Sequence, residues 1–469
     1  MDFFIIYLST RSNRTDVQYI PMGGLFLAEA LLNEGYDVKI LDDTLANVVE
    51  SLRKMASHKT IAFGISTLSG TQLKNSITLA KILKNEFPHI PLIWGGAHVT
   101  ALPMQTLASE WVDYVVWGEG EVSITHLLNA IRNGTDVTKI KGIGYKKSGQ
   151  CFINENAGYT PLDRLFQLPY HLLDMKQYAR RLNIGVERGY YIHTSRGCPF
   201  RCKFCSNSSE IWPNTRMRYH TMDHIFNDLS VLATQYGADC VTFADELFVN
   251  SEERMVTICK ELQREGPVNM KYRASARADI LCKLGKKTLS IMKDTGFVGF
   301  GCGLESGSQR ILDYMGKRIT LKQIYEADQI LTDYHFYKSY NFMSCIPTET
   351  INDVKMTIKL IVDLFMTSKY CPYPFGLMNK FIPLPNTELF DIAVNYGFQP
   401  PQNLEGWTLM DYQGDSDAVI RPWVEPAMSD FVDRANALIL EINNLYVGGS
   451  SRDPLIDAGI KKLEMMVYE

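Results

Sequence analysis

Three cysteines crowd one short run, Cys198-Pro199-Phe200-Arg201-Cys202-Lys203-Phe204-Cys205, with C-x3-C-x2-C spacing. Three thiolates so placed suit three irons of a cubane 4Fe–4S cluster and leave the fourth iron open. An open coordination position belongs to catalysis, whereas full ligation suits structure or electron transfer. Zinc is the alternative. It usually takes four ligands, often from two C-x2-C pairs, and no second pair exists here, although His193 stands five residues upstream as a further candidate. The remaining cysteines, Cys151, Cys240, Cys259, Cys282, Cys302, Cys345 and Cys371, share no ligand-like spacing and read as buried thiols.

A ligand loop needs firm elements to hold it. Immediately before the cysteines, Tyr190–Thr194 reads as a strand. Further strand-like runs follow at Cys240–Phe243, Lys271–Ala274, Phe297–Cys302, Lys338–Ser344 and Gly376–Phe381, separated by amphipathic helices such as Met222–Tyr236. Six βα units with one direction of travel predict a partial (β/α)6 parallel barrel, with functional residues at the C-terminal strand ends. An earlier alternation has strand-like runs at Phe3–Leu8, Val38–Leu41, Ile61–Ile65, Leu92–Trp94 and Tyr114–Trp117. Continuous apolar strands between helices predict a parallel, Rossmann-like α/β sheet covered on both faces. Its turns carry small residues, and ligands bind at such carboxyl ends. Pro21-Met22-Gly23-Gly24-Leu25 is not G-x-G-x-x-G, so a nicotinamide site has little support despite Asp42 and Asp43. The segments predicted are an α/β domain over 1–140, a connector over 141–188 containing a hairpin, a barrel over 189–400, and a C-terminal helical region over 401–469. Trp407, Tyr412 and Trp423 either close over the active site or pack the C-terminal helices against the barrel.

The chain has 469 residues, 46% hydrophobic, with Lys+Arg 48 against Asp+Glu 52. A net charge of −4 argues against a nucleic-acid or acidic-membrane surface as partner. No apolar run approaches the roughly 18 residues that span a bilayer. The N-terminus lacks the basic region and cleavage site of a signal peptide, so a soluble, cytoplasmic protein is expected.

The run Arg196-Gly197-Cys198 to Cys205-Ser206-Asn207 closely resembles the radical S-adenosylmethionine (SAM) superfamily. The N-terminal alternation resembles the cobalamin-binding module of its cobalamin-dependent branch. The resemblance implies a 4Fe–4S cluster on Cys198, Cys202 and Cys205, with SAM on the open iron and Phe204 beside the adenine. It implies that Asp245 and Glu246 lie near the SAM ammonium, that Ser275 and Arg277 end the third strand with Arg277 toward the SAM carboxylate, and that Glu305 and Ser306 approach the ribose. Ser344 lies in a fifth-strand motif that carries Cys345 and Thr348 where glycines are usual. For cobalamin, the resemblance implies Met22 and Gly23 at the first helix, Ser66, Thr67 and Leu68 at the lower face of the corrin, Gly95, Gly96, Ala97 and His98 after the fourth strand, and Gly118, Glu119 and Glu121 after the fifth. No histidine has the D-x-H-x-x-G context of a cobalt ligand, and His98 reads equally as a hydrogen-bonded loop residue.

The activity so implied is methyl transfer. A 5′-deoxyadenosyl radical activates a substrate carbon, methylcobalamin donates the methyl group, and a one-electron donor such as flavodoxin or ferredoxin supplies electrons. The substrate is a small molecule or peptide. Alternatives are a non-methylating cyclisation, rearrangement or carbon–carbon coupling with the same cofactors, or a non-catalytic iron–sulfur or cobalamin sensor.

Overall fold

The structure, a computed structural model, describes residues 1–8, 19–164, 167–182, 185–208, 217–367, 376–410, 419–447 and 454–469. Cys371 and Tyr412 lie outside the described residues. The chain forms two compact units, Met1–Tyr178 with Gln399–Ile420, and Ala179–Phe398 with Arg421–Glu469.

In the first unit, β1 (Phe3–Leu8), β2 (Val38–Asp43), β3 (Ala62–Ser66), β4 (Leu92–Gly95) and β5 (Tyr114–Val116) pair in parallel in the order β2-β1-β3-β4-β5. Phe3, Phe4, Ile5 and Ile6 are all buried, as in a strand covered on both faces. Helix Leu45–Met55 is capped by Thr44, which accepts from the Asn47 amide, and helix Glu121–Asn133 ends at Gly134 with φ 63°. The hairpin lies where the sequence placed it, as β6 (Ile143–Lys147) and β7 (Gln150–Ile153). It continues the sheet antiparallel to β5, satisfying an otherwise open edge. Residues 141–178 fall within this compact unit, the hairpin extending its sheet.

Residues 399–410 also join this unit. Trp407 is 1% exposed; its carbonyl accepts from the Gly70 amide at 3.0 Å and its indole donates to Gln105. It therefore does neither of the two things expected of it. Its carbonyl holds the loop after β3, while the buried indole packs on the segment after β4.

The second unit opens with β8 (Arg180–Leu182) and β9 (Val186–Ile192), followed by the short pair β10 (Ser195–Arg196) and β11 (Arg218–Tyr219). Then come β12 (Cys240–Phe243), β13 (Lys271–Ala276), β14 (Phe297–Glu305), β15 (Tyr337–Ser344) and β16 (Met378–Lys380). β9 and β12 to β16 are parallel neighbours in chain order, and β8 adds antiparallel beside β9. This is the partial six-stranded barrel. On β13 burial alternates strictly: Tyr272, Ala274 and Ala276 are buried, whereas Arg273 and Ser275 are half-buried and line a cavity. Behind the sheet an aromatic core forms, in which Phe243 stacks on Phe248 at 4.3 Å and on Tyr272 at 5.5 Å.

The outer edge of β16 is closed by a side chain. Asn436, on helix Pro426–Val447, accepts from the Met378 amide at 2.9 Å and donates to the Met378 carbonyl at 3.0 Å. A carboxamide carries both a donor and an acceptor, so it pairs the edge as a strand would. Lys380 reinforces it through Asp433 at 2.7 Å. Among the described residues no helix is long and apolar enough to cross a membrane.

Candidate active site

The C-terminal ends of β9 and β12 to β15 surround a cavity of about 420 Å3. Its walls include the thiols of Cys198, Cys202 and Cys205, the rings of Phe200 and Phe204, and Glu246, Arg277, Glu305 and Lys317.

Local hydrogen bonds fix the cysteine loop. The Cys205 amide donates to the Cys202 carbonyl at 3.0 Å, and the Ser208 hydroxyl donates to the carbonyls of Cys202 and Cys205 at 2.6 and 2.7 Å. The Lys203 amide donates to the Met315 carbonyl at 2.9 Å, tying the loop to the segment after helix Gln309–Tyr314. Burial pushes the Cys205 thiol up to about 11 and raises that of Cys198 as well. The thiolate is the metal ligand, so cluster assembly there would have to displace those protons. Among the described residues no three His, Cys, Asp or Glu side chains converge on one metal ion. A cubane does not ask for that, because each thiolate takes a separate iron.

Asp245 and Glu246 share a strand end but have different surroundings. Asp245 is buried and accepts from the Thr194 amide at 2.6 Å, from the Thr194 hydroxyl, and from the Ser195 amide and hydroxyl at 3.2 and 2.8 Å. Its carboxylate thereby holds the chain entering the cysteine loop. Glu246 is exposed to the cavity and is the member placed to meet a cation. Ser275 donates to the Asp245 carbonyl at 2.8 Å and accepts from the Phe248 amide at 3.0 Å, so it shapes the same turn.

Glu305 has φ 68°, in the left-handed region, and pairs with Lys317 at 2.7 Å; both are buried. The Lys317 ammonium lies 5.9 Å from the centre of the Phe204 ring. Arg277 is enclosed: it meets Asp279 at 2.9 Å, the Lys317 carbonyl at 2.7 Å and Cys202 Sγ at 3.8 Å, and it lies 3.5 Å over the Phe200 ring. Ser306 and Ser344 do not line the cavity. Ser306 is buried against Thr357 at 3.2 Å, and Ser344 donates to the Met378 carbonyl at 3.4 Å.

Sequence reasoning missed Lys317, Phe200, Thr194 and Ser195. The motif flagged the cysteines around Phe200 but gave the ring no role. Lys317 follows Gly316, whose φ of 66° turns the chain back to the site; that glycine was the available signal. The fifth-strand turn holds Cys345 at φ 60° and Thr348 at φ 72°, so the left-handed backbone of the usual glycines persists without them.

In the first unit, the loops after β3, β4 and β5 converge. Gly96 has φ 95°, and a Cβ there would stand 2.7 Å from the Thr67 carbonyl oxygen. Gly118 has φ 79°, and its amide donates to Thr100 at 3.1 Å. Ser66 and Leu68 are half-buried, Thr67 is buried, and Gly95 and exposed Ala97 face them across the Gly96 contact. Met22 is buried and Gly23 exposed at the start of helix Met22–Asn33. A Cβ at neighbouring Gly24 would meet the Tyr7 ring at 2.7 Å.

The larger polar side chains predicted here are engaged within the unit. Glu119 accepts from the Thr160 amide at 2.7 Å, and Glu121 from the Thr160 hydroxyl at 3.0 Å. His98 is 3% exposed, its Nδ1 meets Ser69 Oγ at 2.8 Å, and its ring lies edge-on to Trp407 at 6.0 Å. Burial lowers its pKa to about 4, which favours the neutral ring. These loops thus consist largely of small residues and backbone, and the missing side chain of Gly96 lets the loop after β4 pack directly on the Thr67 backbone.

The family profile described as Radical SAM superfamily matches residues 192–361, and that of the B12 binding domain matches residues 13–128. A protein of Pyrococcus horikoshii named uncharacterized methyltransferase PH0819 is 30% identical over 401 residues, which span 83% of this chain and 82% of the relative. The anaerobic magnesium-protoporphyrin IX monomethyl ester cyclase of Rubrivivax gelatinosus is 25% identical over 395 residues, 81% of this chain and 69% of that one. Among solved structures, the cobalamin-dependent SAM radical enzyme OxsB, with aqua-cobalamin and SAM bound, has the same fold: TM-score 0.76 at 15% identity, covering 99% of this chain and 71% of OxsB. The chain belongs to the cobalamin-dependent radical SAM family, whose cofactors are a 4Fe–4S cluster, SAM and cobalamin.

Proposed function

We propose that the protein is a cobalamin-dependent radical SAM methyltransferase acting on a small molecule or peptide. The observation that carries this reading is one cavity that gathers three loop thiols, the Phe200 and Phe204 rings of the same loop and paired charges, in a chain that also has the cobalamin-type unit. When bound, the cluster and SAM supply a 5′-deoxyadenosyl radical, and cobalamin supplies the methyl group.

The chain's own residues position and exclude. Cys198, Cys202 and Cys205 hold the cluster, while Asp245 fixes the loop's entry through Thr194 and Ser195. Glu246 accepts from the SAM ammonium, Phe204 flanks the adenine, and Glu305, oriented by Lys317, faces the ribose. Phe200 and the sheet wall keep water from the reacting atoms. In the first unit, the loops bearing Ser66 to Leu68, Gly95 to Ala97 and Gly118 form the cobalamin cradle. The cobalamin domain lies in 1–140, the catalytic barrel in 189–400 and the helical region in 401–469; the connector 141–188 links the first two while its hairpin extends the first sheet, and the start of 401–469 returns to the first unit. Electrons come from a flavodoxin or ferredoxin in the cytoplasm, with neither nucleic acid nor membrane involved.

The likeness to a protein named a cyclase favours one second reading, a radical cyclisation with the same cofactors. Mass spectrometry on the anaerobically reconstituted chain with reductant, SAM and cobalamin separates them. Methylation yields S-adenosylhomocysteine together with 5′-deoxyadenosine. Deoxyadenosine in turnover without S-adenosylhomocysteine supports the cyclase reading, and neither product contradicts both.

A further inference from the structure

Arg277 is 5% exposed and sits where the third strand meets the cysteine loop. Its Nε donates to Asp279 Oδ1 at 2.9 Å, its Nη2 to the Lys317 carbonyl at 2.7 Å and its Nη1 to Cys202 Sγ at 3.8 Å. The guanidinium lies 3.5 Å over the centre of the Phe200 ring. Directed donors and a stacked face commit most of its fork to protein atoms, leaving little of the fork for a bidentate grip on the SAM carboxylate.

We propose that Arg277 is a positioning residue for electron entry. Acting through Cys202, its buried cation and N–H···S contact stabilise the reduced, more negative state of the cluster and so raise its reduction potential. The inference rests on the cluster reading above. Hydrogen bonds to sulfur and local net charge are established levers on such potentials. The balance is simple: one electron passes from an external low-potential donor of the flavodoxin or ferredoxin class, and no bond forms or breaks. Asp279 enters with the opposite sign, because its carboxylate partly neutralises the cation 2.9 Å away.

The test is an EPR-monitored redox titration of the anaerobically reconstituted full chain without SAM, so that no contact to the SAM carboxylate contributes. Arg277→Met should retain its iron and show about tenfold less reduced cluster at a fixed potential, equivalent to about 59 mV for one electron. Asp279→Asn, which keeps an acceptor for Nε but removes the charge, should shift the midpoint upward. Shifts of opposite sign support the proposal; general loosening of the loop would move both variants the same way and overturn it. An unchanged midpoint in Arg277→Met also overturns it. If that variant loses its iron, the Asp279→Asn arm decides, and no rise there counts against the proposal. A wild type that binds no four-iron cluster would instead defeat the underlying reading.

Discussion

The two candidate sites sit at the carboxyl ends of parallel sheets, yet they are built from different materials. The barrel site is made of side chains: thiols, aromatic rings and buried ion pairs such as Lys317 with Glu305. The loops of the first unit are made of backbone and small residues, with Glu119, Glu121 and His98 tied into the unit itself. Ligand chemistry at iron needs specific atoms, whereas a cofactor that brings its own metal and ring needs mainly shape. A single side-chain replacement should therefore disable the barrel site, while the cradle should answer chiefly to added bulk.

The largest contrast is expected for Cys202→Ala, which should abolish cluster assembly while leaving the cobalamin absorbance of the reconstituted chain. Retention of full iron content would break the comparison. Lys317→Met should come next. It leaves the buried Glu305 carboxylate without its cation, a loss of about 3 kcal/mol in denaturant unfolding of the second unit. Glu305→Gln added to that variant should recover part of the loss, and an additive further loss would contradict the pairing.

Gly96→Ala probes the cradle. Its Cβ would meet the Thr67 backbone at 2.7 Å from a left-handed conformation. The expected cost is about 2 kcal/mol, with weakened cobalamin retention and unchanged iron content. Equal loss of both cofactors would erase the distinction.

The smallest effect concerns His98, whose folded pKa of about 4 lies below the ordinary 6.5. The unfolded chain binds the proton first, so the stability from keeping the ring neutral is complete above the ordinary value and is lost as pH falls toward the folded one. At about pH 5.5 the loss is on the order of 1 kcal/mol. His98→Gln should flatten that part of the stability–pH curve in calorimetry of the first unit. An unchanged slope would assign the acid sensitivity elsewhere.

The same difference in materials governs what the sequence reveals. Cys198, Cys202 and Cys205 are legible because ligand spacing is local, and the strands are legible because βα alternation is local too. Six parallel barrel strands and five in the first sheet lie where the apolar runs placed them. What escaped depends on partners distant in the chain. Lys317 acquires meaning only against Glu305, and Asp245 turns inward because Thr194 and Ser195 present four donors to it. Trp407 has no local cue that sends it back to Gly70 and Gln105. Ser306 and Ser344 share motifs with cavity residues, but strand alternation and tight turns direct them into the packing.

The central claim is that Cys198, Cys202 and Cys205 carry a cluster that cleaves SAM. Its most direct test is anaerobic reconstitution followed by reduction with SAM present, reading iron content and 5′-deoxyadenosine together for the wild type and for Cys202→Ala. The account predicts about four irons per chain and deoxyadenosine from the wild type, with both lost in the variant. A fully loaded wild type that forms no deoxyadenosine, or a variant that still forms it, would contradict the account.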